Sequence, residues 1–339
     1  MKNKQIIFTN VNKAELSEVA YPTIGDNEVL VDMQYTAISN GTEKANLTGE
    51  PVVGINCYDT VARFPRKLGY SGVGIIKETG KNVSKFKIGD IVATSWGVHA
   101  KYVAFSEDNI VKIDKDISLK EAAFAHISTF PMAAIRKTHL EIGESAIVMG
   151  QGLLGVIAVM LLKASGAVPI IAVDPIKERR ELALKVGADF ALDSTTPTFV
   201  EDVEKIINGG VNVAIEVTGL GTGLNQVLDC MAKMGRVALL GCTRKSDFTV
   251  DYYHKVHGKG VSLIGAHTFA RPYWESSPGL WTQSDDKKAF LNLIKYKRIK
   301  AENIISEVHS PIDAPKVFLR LAEDKNFPIG VLFDWTKEI

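Results

Sequence analysis

Ala146-Ile-Val-Met-Gly150-Gln-Gly152-Leu-Leu-Gly155 reads as a short apolar strand, a glycine turn and the opening of a helix. The glycines follow the G-x-G-x-x-G spacing in the context that gives it meaning, after a strand and before a helical run. Gly150 permits the tight turn, Gly152 lets the backbone approach a pyrophosphate, and Gly155 allows close packing of helix on strand. The free N–H groups and partial positive charge of the helix N-terminus then face the phosphates. The same stretch also fits a plain strand-to-helix turn. A second element weighs against that reading. The next apolar run, Ile170-Ile-Ala-Val, ends at Asp174, 24 residues after Gly150, near the spacing expected of an acid that accepts from ribose hydroxyls. Such a carboxylate repels a 2′-phosphate, so NAD is expected in preference to NADP. Arg179 and Arg180 lie close enough to keep some NADP use open, and Asp174 would also serve as a helix cap before Pro175.

Outward from this turn the chain changes rhythm. Before residue 120, β-branched runs bounded by Gly, Asn, Lys and Pro predict strands at Glu28–Met33, Gly72–Ile76 and Asp90–Thr94. After it, helical patterns at Leu119–Lys137, Leu154–Ser165 and Lys177–Val186 alternate with short apolar runs. Those runs begin at Ala146, Pro169, Phe190, Val211, Val237 and Val261. Alternation of this kind signals βαβ units on a doubly wound parallel sheet. A helix over Lys287–Lys297 and a β-like tail, Ile329–Asp334, follow, and the tail is expected to return to the β-rich part.

Several function classes are disfavoured. With 40 basic and 39 acidic residues, the chain has no electrostatic footprint for nucleic acid or an anionic membrane. Cys57, Cys230 and Cys242 form no C-x-x-C pair, so neither a four-cysteine zinc lobe nor a disulfide framework is expected. The longest apolar run, Gly152 to Leu162, is too short to span a bilayer, and Met1–Asn10 lacks the apolar run of a signal peptide. The expectation is a soluble cytoplasmic protein with a small-molecule substrate, working as a homo-oligomer, a dimer or tetramer.

Several segments in order resemble the medium-chain dehydrogenase/reductase (zinc alcohol dehydrogenase-like) family. They include Leu68-Gly-Tyr-Ser-Gly-Val-Gly-Ile75, Phe86-Lys-Ile-Gly-Asp-Ile-Val92, His99-Ala-Lys-Tyr-Val103, the glycine turn, Leu184-Lys-Val-Gly-Ala-Asp189, Ile215-Glu-Val-Thr-Gly219 and Gly235-Arg-Val-Ala-Leu-Leu-Gly241. The resemblance implies an α/β fold with a GroES-like β-rich catalytic domain, residues 1–120 and 286–339, and a Rossmann NAD-binding domain, residues 121–285. Cofactor and substrate would meet in the cleft between them. Cofactor contacts are implied at Gly150, Gly152, Leu153, Leu154, Gly155, Asp174, Arg179, Val217, Thr218, Gly241, Gly265 and Ala266. Ile38-Ser-Asn-Gly-Thr-Glu43 and Ser277-Pro-Gly-Leu-Trp-Thr282 further resemble a branch containing bacteriochlorophyllide dehydrogenase and sugar- and polyol-associated relatives.

The departures bear on chemistry. The cysteine ligand that the family carries before its Thr-Asp pair is replaced by Ser39 or Asn40, with one extra residue leaving the choice open. The family's Gly-His-Glu reads Gly69-Tyr70-Ser71, and the third ligand falls near Ala123–His126, where only His126 coordinates metals. One ligand in three does not make a catalytic zinc site, so neither catalytic nor structural zinc is expected. Side chains must then polarise and deprotonate the alcohol that zinc would otherwise activate. Thr42, matching the family's relay hydroxyl, Glu43 and His126 are the catalytic candidates. Ser39, Asn40, Tyr70, His99, His267, Arg271 and Trp274 are the substrate-binding ones, and Arg271 and Trp274 share their segment with Tyr273 and Trp281, aromatics that suit a sugar ring. His254 and His257, three apart, read as a solvated helix face. The leading expectation is an NAD-dependent oxidoreductase interconverting a secondary alcohol and ketone on a polar, sugar- or polyol-like substrate. A zinc-free quinone or enoyl reductase and a non-catalytic dinucleotide-binding sensor are the alternatives.

Overall fold

Six short strands of the Rossmann-like unit, all parallel to their neighbours, carry the glycine turn near the middle of their sheet. The structure is a computed structural model describing residues 2–50, 53–54, 57–58, 62–244, 246 and 248–337. It divides into two units, residues 1–127 with 287–339, and residues 128–286. The second unit thus begins inside the Ala125–Lys137 helix, seven residues later than the sequence rhythm suggests.

In residues 128–286 the sheet runs Phe190–Leu192, Ile170–Val173, Ala146–Met149, Val211–Glu216, Met231–Leu239, Ser262–Gly265. Numbered along the chain, that order is 3-2-1-4-5-6, the doubly wound arrangement whose direction reverses between the first and fourth strands. Ile147, Val148, Ile171, Ala172, Ala214 and Ile215 are fully buried because helices cover both faces, which is why these strands read as continuous apolar runs. The Leu153–Ala164 helix is apolar almost all round for the same reason.

The other unit holds an antiparallel hairpin, Lys2–Asn10 with Lys13–Ala20, and a seven-stranded sheet. In that sheet Glu28–Ala37 pairs with Ser71–Thr79, Tyr102–Ser106 and the tail strand Val331–Asp334. Phe8, Val31, Ile38, Phe318, Phe333 and Trp335 share its core. One predicted helix is two. Leu119–Ala122 and Ala125–Lys137 are separated at Ala123, whose carbonyl accepts the Ser71 hydroxyl at 2.6 Å. That bond takes the acceptor a continuous helix would use for its next turn. The Asn40–Leu47 helix, starting inside the Ser39–Glu43 segment, has no counterpart in the sequence reading.

Candidate functional site

The turn after Met149 shows why three glycines stand where they do. Gly150 adopts φ +96°, and a Cβ there would press on Thr218 at 2.9 Å. A Cβ on Gly155 would meet the Gly150 carbonyl at 1.9 Å, so the helix lies against the turn with no room for a methyl. A Cβ on Gly152 would meet nothing within 4 Å. Two glycines are therefore filled by the protein itself, and the one assigned to the pyrophosphate faces open space. Gly152 caps the helix, and the first N–H groups, at Leu153 and Leu154, face its N-terminal end without intrahelical partners.

A cavity of about 700 Å³ opens at this reversal of strand order, lined by Gly150, Gly152, Asp174, Arg179, Val217 and Thr218 among others. Asp174, 4 % exposed, accepts from the backbone N–H groups of Gln151 and Ile176 at 2.8 and 2.9 Å, and Arg179 stands 3.7 Å away. It does not cap the Lys177–Val186 helix, whose cap is Ile176. Thr218 is set by Glu216, whose buried carboxylate accepts the Thr218 hydroxyl, the Thr218 N–H and the Gly219 N–H. Burial pushes the Glu216 carboxyl up, against those bonds. Gly241 closes on Gly219, where a Cβ would approach its nitrogen to 2.2 Å, and Ala266 is buried after the edge strand that ends at Gly265. Gly241, Gly265 and Ala266 are not among the residues lining the cavity.

Residues 1–127 gather a second constellation. The Tyr70 hydroxyl donates to Ser39 Oγ and also bonds the exposed Thr42 hydroxyl. His126 meets the Tyr70 ring edge-on at 5.4 Å and the Trp96 indole at 4.6 Å, so Tyr70, Trp96 and His126 form one aromatic group. Burial pushes the Tyr70 phenol up to about 12, its bonds to Ser39 and Thr42 opposing and the Glu43 charge adding. The side chains of Ser39 and Asn40 go different ways. Ser39 meets Tyr70, while Asn40 turns its amide to the Pro328 carbonyl at 2.9 Å.

Three expectations are corrected here. Glu43, a catalytic candidate, is 0 % exposed, and its two oxygens meet the Ser39 N–H at 2.9 Å and His99 Nε2 at 3.0 Å. His99 is buried as well, its other nitrogen 2.7 Å from Thr36 Oγ1, so both side chains are engaged within the protein. Gly69, at φ +115°, lets the chain cross directly over His99, where a Cβ would sit 2.3 Å from its backbone nitrogen. Arg271 is a structural cation. Its side chain, 5 % exposed, holds Asp286 at 3.0 Å and donates to the Thr129 carbonyl. Arg136 takes the other Asp286 oxygen at 2.8 Å and stacks 3.6 Å over Trp281. Trp274, by contrast, is 81 % exposed, and His267 is exposed too. His254, bonded to Asp251, and His257 lie on a surface turn. Trp96 is the member of the group that sequence reasoning misses. Its signal in the sequence is an aromatic at a strand end before glycine, and its φ is +62°.

Residues 25–115 match the alcohol dehydrogenase GroES-like domain, and residues 154–281 match the zinc-binding dehydrogenase family. The L-threonine 3-dehydrogenase of Caldanaerobacter subterraneus subsp. tengcongensis is 28 % identical over 306 residues, covering 79 % of this chain and 84 % of that one. The D-guloside 3-dehydrogenase of Escherichia coli K12 is 24 % identical over 354 residues, 97 % of this chain and 100 % of the other. Among solved structures, galactitol-1-phosphate dehydrogenase from Escherichia coli superposes with a TM-score of 0.84 at 18 % identity, covering 98 % of this chain and 99 % of that one. The chain belongs to the medium-chain dehydrogenase/reductase superfamily of zinc alcohol dehydrogenase-like proteins. Within it, the protein is a dehydrogenase.

Proposed function

We propose that this dehydrogenase uses NAD in preference to NADP to interconvert a secondary alcohol and a ketone on a polar, sugar- or polyol-like substrate, without catalytic zinc. The observation that carries the reading is the cavity in which the open Gly152 turn and the Asp174 carboxylate stand together. The two backbone donors on Asp174 leave it lone pairs for ribose hydroxyls. The full-length likeness to a dehydrogenase named for oxidation at position 3 of a guloside supports the substrate class.

Oxidising an alcohol removes a hydride from carbon and a proton from oxygen. NAD, held at Gly150, Gly152 and Asp174, would supply the hydride acceptor, and the chain's own residues would handle the proton. At the positions where zinc-containing relatives hold their metal, the donors are the Ser39 and Tyr70 hydroxyls and the His126 imidazole. Zinc prefers thiolate, imidazole and carboxylate, so this set does not fit it, and no step runs through a metal. With its phenol pushed up to about 12, Tyr70 keeps its proton at neutral pH, and turning that one proton from Ser39 Oγ to the ketone oxygen would polarise the ketone. His126, packed against that ring, is the candidate proton carrier, and Thr42 supplies the exposed end of the hydroxyl group.

A coenzyme screen of polyols, keto-sugars and quinones with NAD and NADP tests the reading. Turnover of a polyol or keto-sugar with NAD is expected. Turnover of quinones alone, or tighter NADP than NAD binding by calorimetry, overturns it. Elemental analysis after mild chelation should find far less than one zinc per chain with activity retained.

A further inference from the structure

Beneath Tyr70 lies a run of buried hydrogen bonds that the reaction scheme does not use. Trp335 Nε1–H donates to Thr36 Oγ1 at 2.9 Å, Thr36 Oγ1 lies 2.7 Å from His99 Nδ1, His99 Nε2 lies 3.0 Å from Glu43 Oε2, and Glu43 Oε1 accepts the Ser39 N–H at 2.9 Å. All five residues are buried, with Thr36, Glu43 and Trp335 fully so.

The two ends of this run can only donate. An indole nitrogen carries a proton and has no lone pair to offer, and a backbone N–H is likewise a donor. Thr36 must therefore accept from Trp335. Its own hydroxyl hydrogen then needs an acceptor, and among the described residues the hydroxyl's other neighbour is His99 Nδ1. That nitrogen must be bare. The remaining ring proton sits on Nε2 and points at Glu43, whose two oxygens each face a donor, so a carboxyl proton there would have no acceptor. Every alternative fails the same count. An imidazolium, or a ring protonated on Nδ1, leaves the Thr36 hydrogen buried and unmatched.

The polarity has a local consequence. Ser39 is the cap of the Asn40–Leu47 helix, yet its hydroxyl makes no capping bond. A serine there usually spends its oxygen on the first-turn N–H groups. Here the Glu43 carboxylate reaches back to the Ser39 N–H and leaves Ser39 Oγ to Tyr70.

We propose that His99 and Glu43 are a positioning pair of fixed polarity, a neutral Nε2–H imidazole donating to a carboxylate, which holds Ser39 and through it the Tyr70 hydroxyl in place for catalysis. The polarity is read from hydrogen bonds alone, while the service to catalysis rests on the dehydrogenase reading above.

The test needs no substrate. In protein labelled with ¹⁵N-histidine, long-range ¹H–¹⁵N spectra at neutral pH should show His99 protonated on Nε2 and bare on Nδ1. The signal is assigned by its loss in His99→Gln or, should that variant not fold, by its contact with the Phe333 ring 5.3 Å away. A ring protonated on both nitrogens, or on Nδ1, overturns the polarity. Glu43→Gln, whose amide must donate to Nε2, should move the proton to Nδ1 and displace the Tyr70 ¹³Cζ resonance, which Tyr70→Phe assigns. Lys2→Met should leave that resonance where it was. Should Glu43→Gln not fold, Glu43→Asp, which keeps the charge but shortens the reach to Ser39, carries this second measurement with the same expected displacement. A Tyr70 resonance unmoved in the folded variant overturns the positioning role. Neither measurement depends on turnover, so the pair and the dehydrogenase reading fail separately.

Discussion

In residues 128–286 the groups proposed to meet the cofactor are mostly backbone: the open Gly152 turn, the N–H groups of a helix end, and one acid held by two more N–H groups. Around Tyr70 the site groups are side chains brought together from loops and a helix: Ser39 precedes the Asn40–Leu47 helix, Tyr70 precedes the Ser71–Thr79 strand, Trp96 follows the Ile91–Ser95 strand, and His126 stands in the Ala125–Lys137 helix. Backbone donors lose little freedom on binding and tolerate no neighbouring bulk. A side-chain group tolerates exchange at each position but depends on whatever holds each member. The two regions should therefore break differently.

The sharpest break is expected at Tyr70. Tyr70→Phe should lower kcat by ~10²–10⁴, the range for a positioned proton-transfer group, with NAD affinity unchanged in calorimetry. A variant with full turnover would mean that Tyr70 is a packing residue. Next come two glycines of one turn. Gly155→Ala, whose methyl would meet the Gly150 carbonyl, should cost about 1–3 kcal/mol in denaturant unfolding. Gly152→Ala should leave stability within ~0.5 kcal/mol, as substitutions away from tight contacts do, yet weaken NAD binding. Equal stability losses would remove the distinction between a filled glycine and an open one. Asp174→Gly should weaken NAD by roughly 10–100-fold, the worth of a hydrogen bond to a charged group, and NADP by much less. Equal loss for both would show that the carboxylate only shapes the turn.

A pH slope tests whether the β-rich unit depends on buried polar side chains away from Tyr70 as well. Lys287, 1 % exposed, donates to Ser95 Oγ at 2.7 Å and the Asn109 carbonyl at 3.1 Å, and burial pulls its ammonium down from 10.5 to about 7. Between about 7 and 10.5 the unfolded chain binds a proton that the folded one lacks. Stability should therefore rise with pH across that window, by up to about 1.4 kcal/mol per unit. Lys287→Met should flatten this rise in urea titrations at pH 8, 9 and 10. An unchanged slope would assign it to other groups.

The contrast also explains what can be read from the chain alone. The glycine turn and Asp174 are legible because their meaning lies in spacing along one continuous segment. That the sheet is parallel follows from the alternation of strand and helix, though the order of its strands does not. The Tyr70 group is not. Trp335 and Thr36 bond each other across 299 positions, and nothing local marks either as a partner of His99. Ser39 and Asn40 cannot be told apart until the helix start is known, since one residue decides which side chain turns to Tyr70 and which to Pro328. Arg271 looks free beside its aromatic neighbours because its partner, Asp286, sits 15 residues on, across an irregular segment. Charge and aromatic content suggest a sugar site there, but not that the guanidinium already holds Asp286 and the Thr129 carbonyl.

The Glu43 carboxylate takes the Ser39 N–H and the Ser39 hydroxyl makes no capping bond, so the Ser39 side chain is not what holds the start of the Asn40–Leu47 helix. Exchange at 39 alters what meets Tyr70 without unravelling the helix. Position 39 is thus a place where the group that meets the Tyr70 hydroxyl can be varied while the bond between Glu43 and the Ser39 N–H stays as it is.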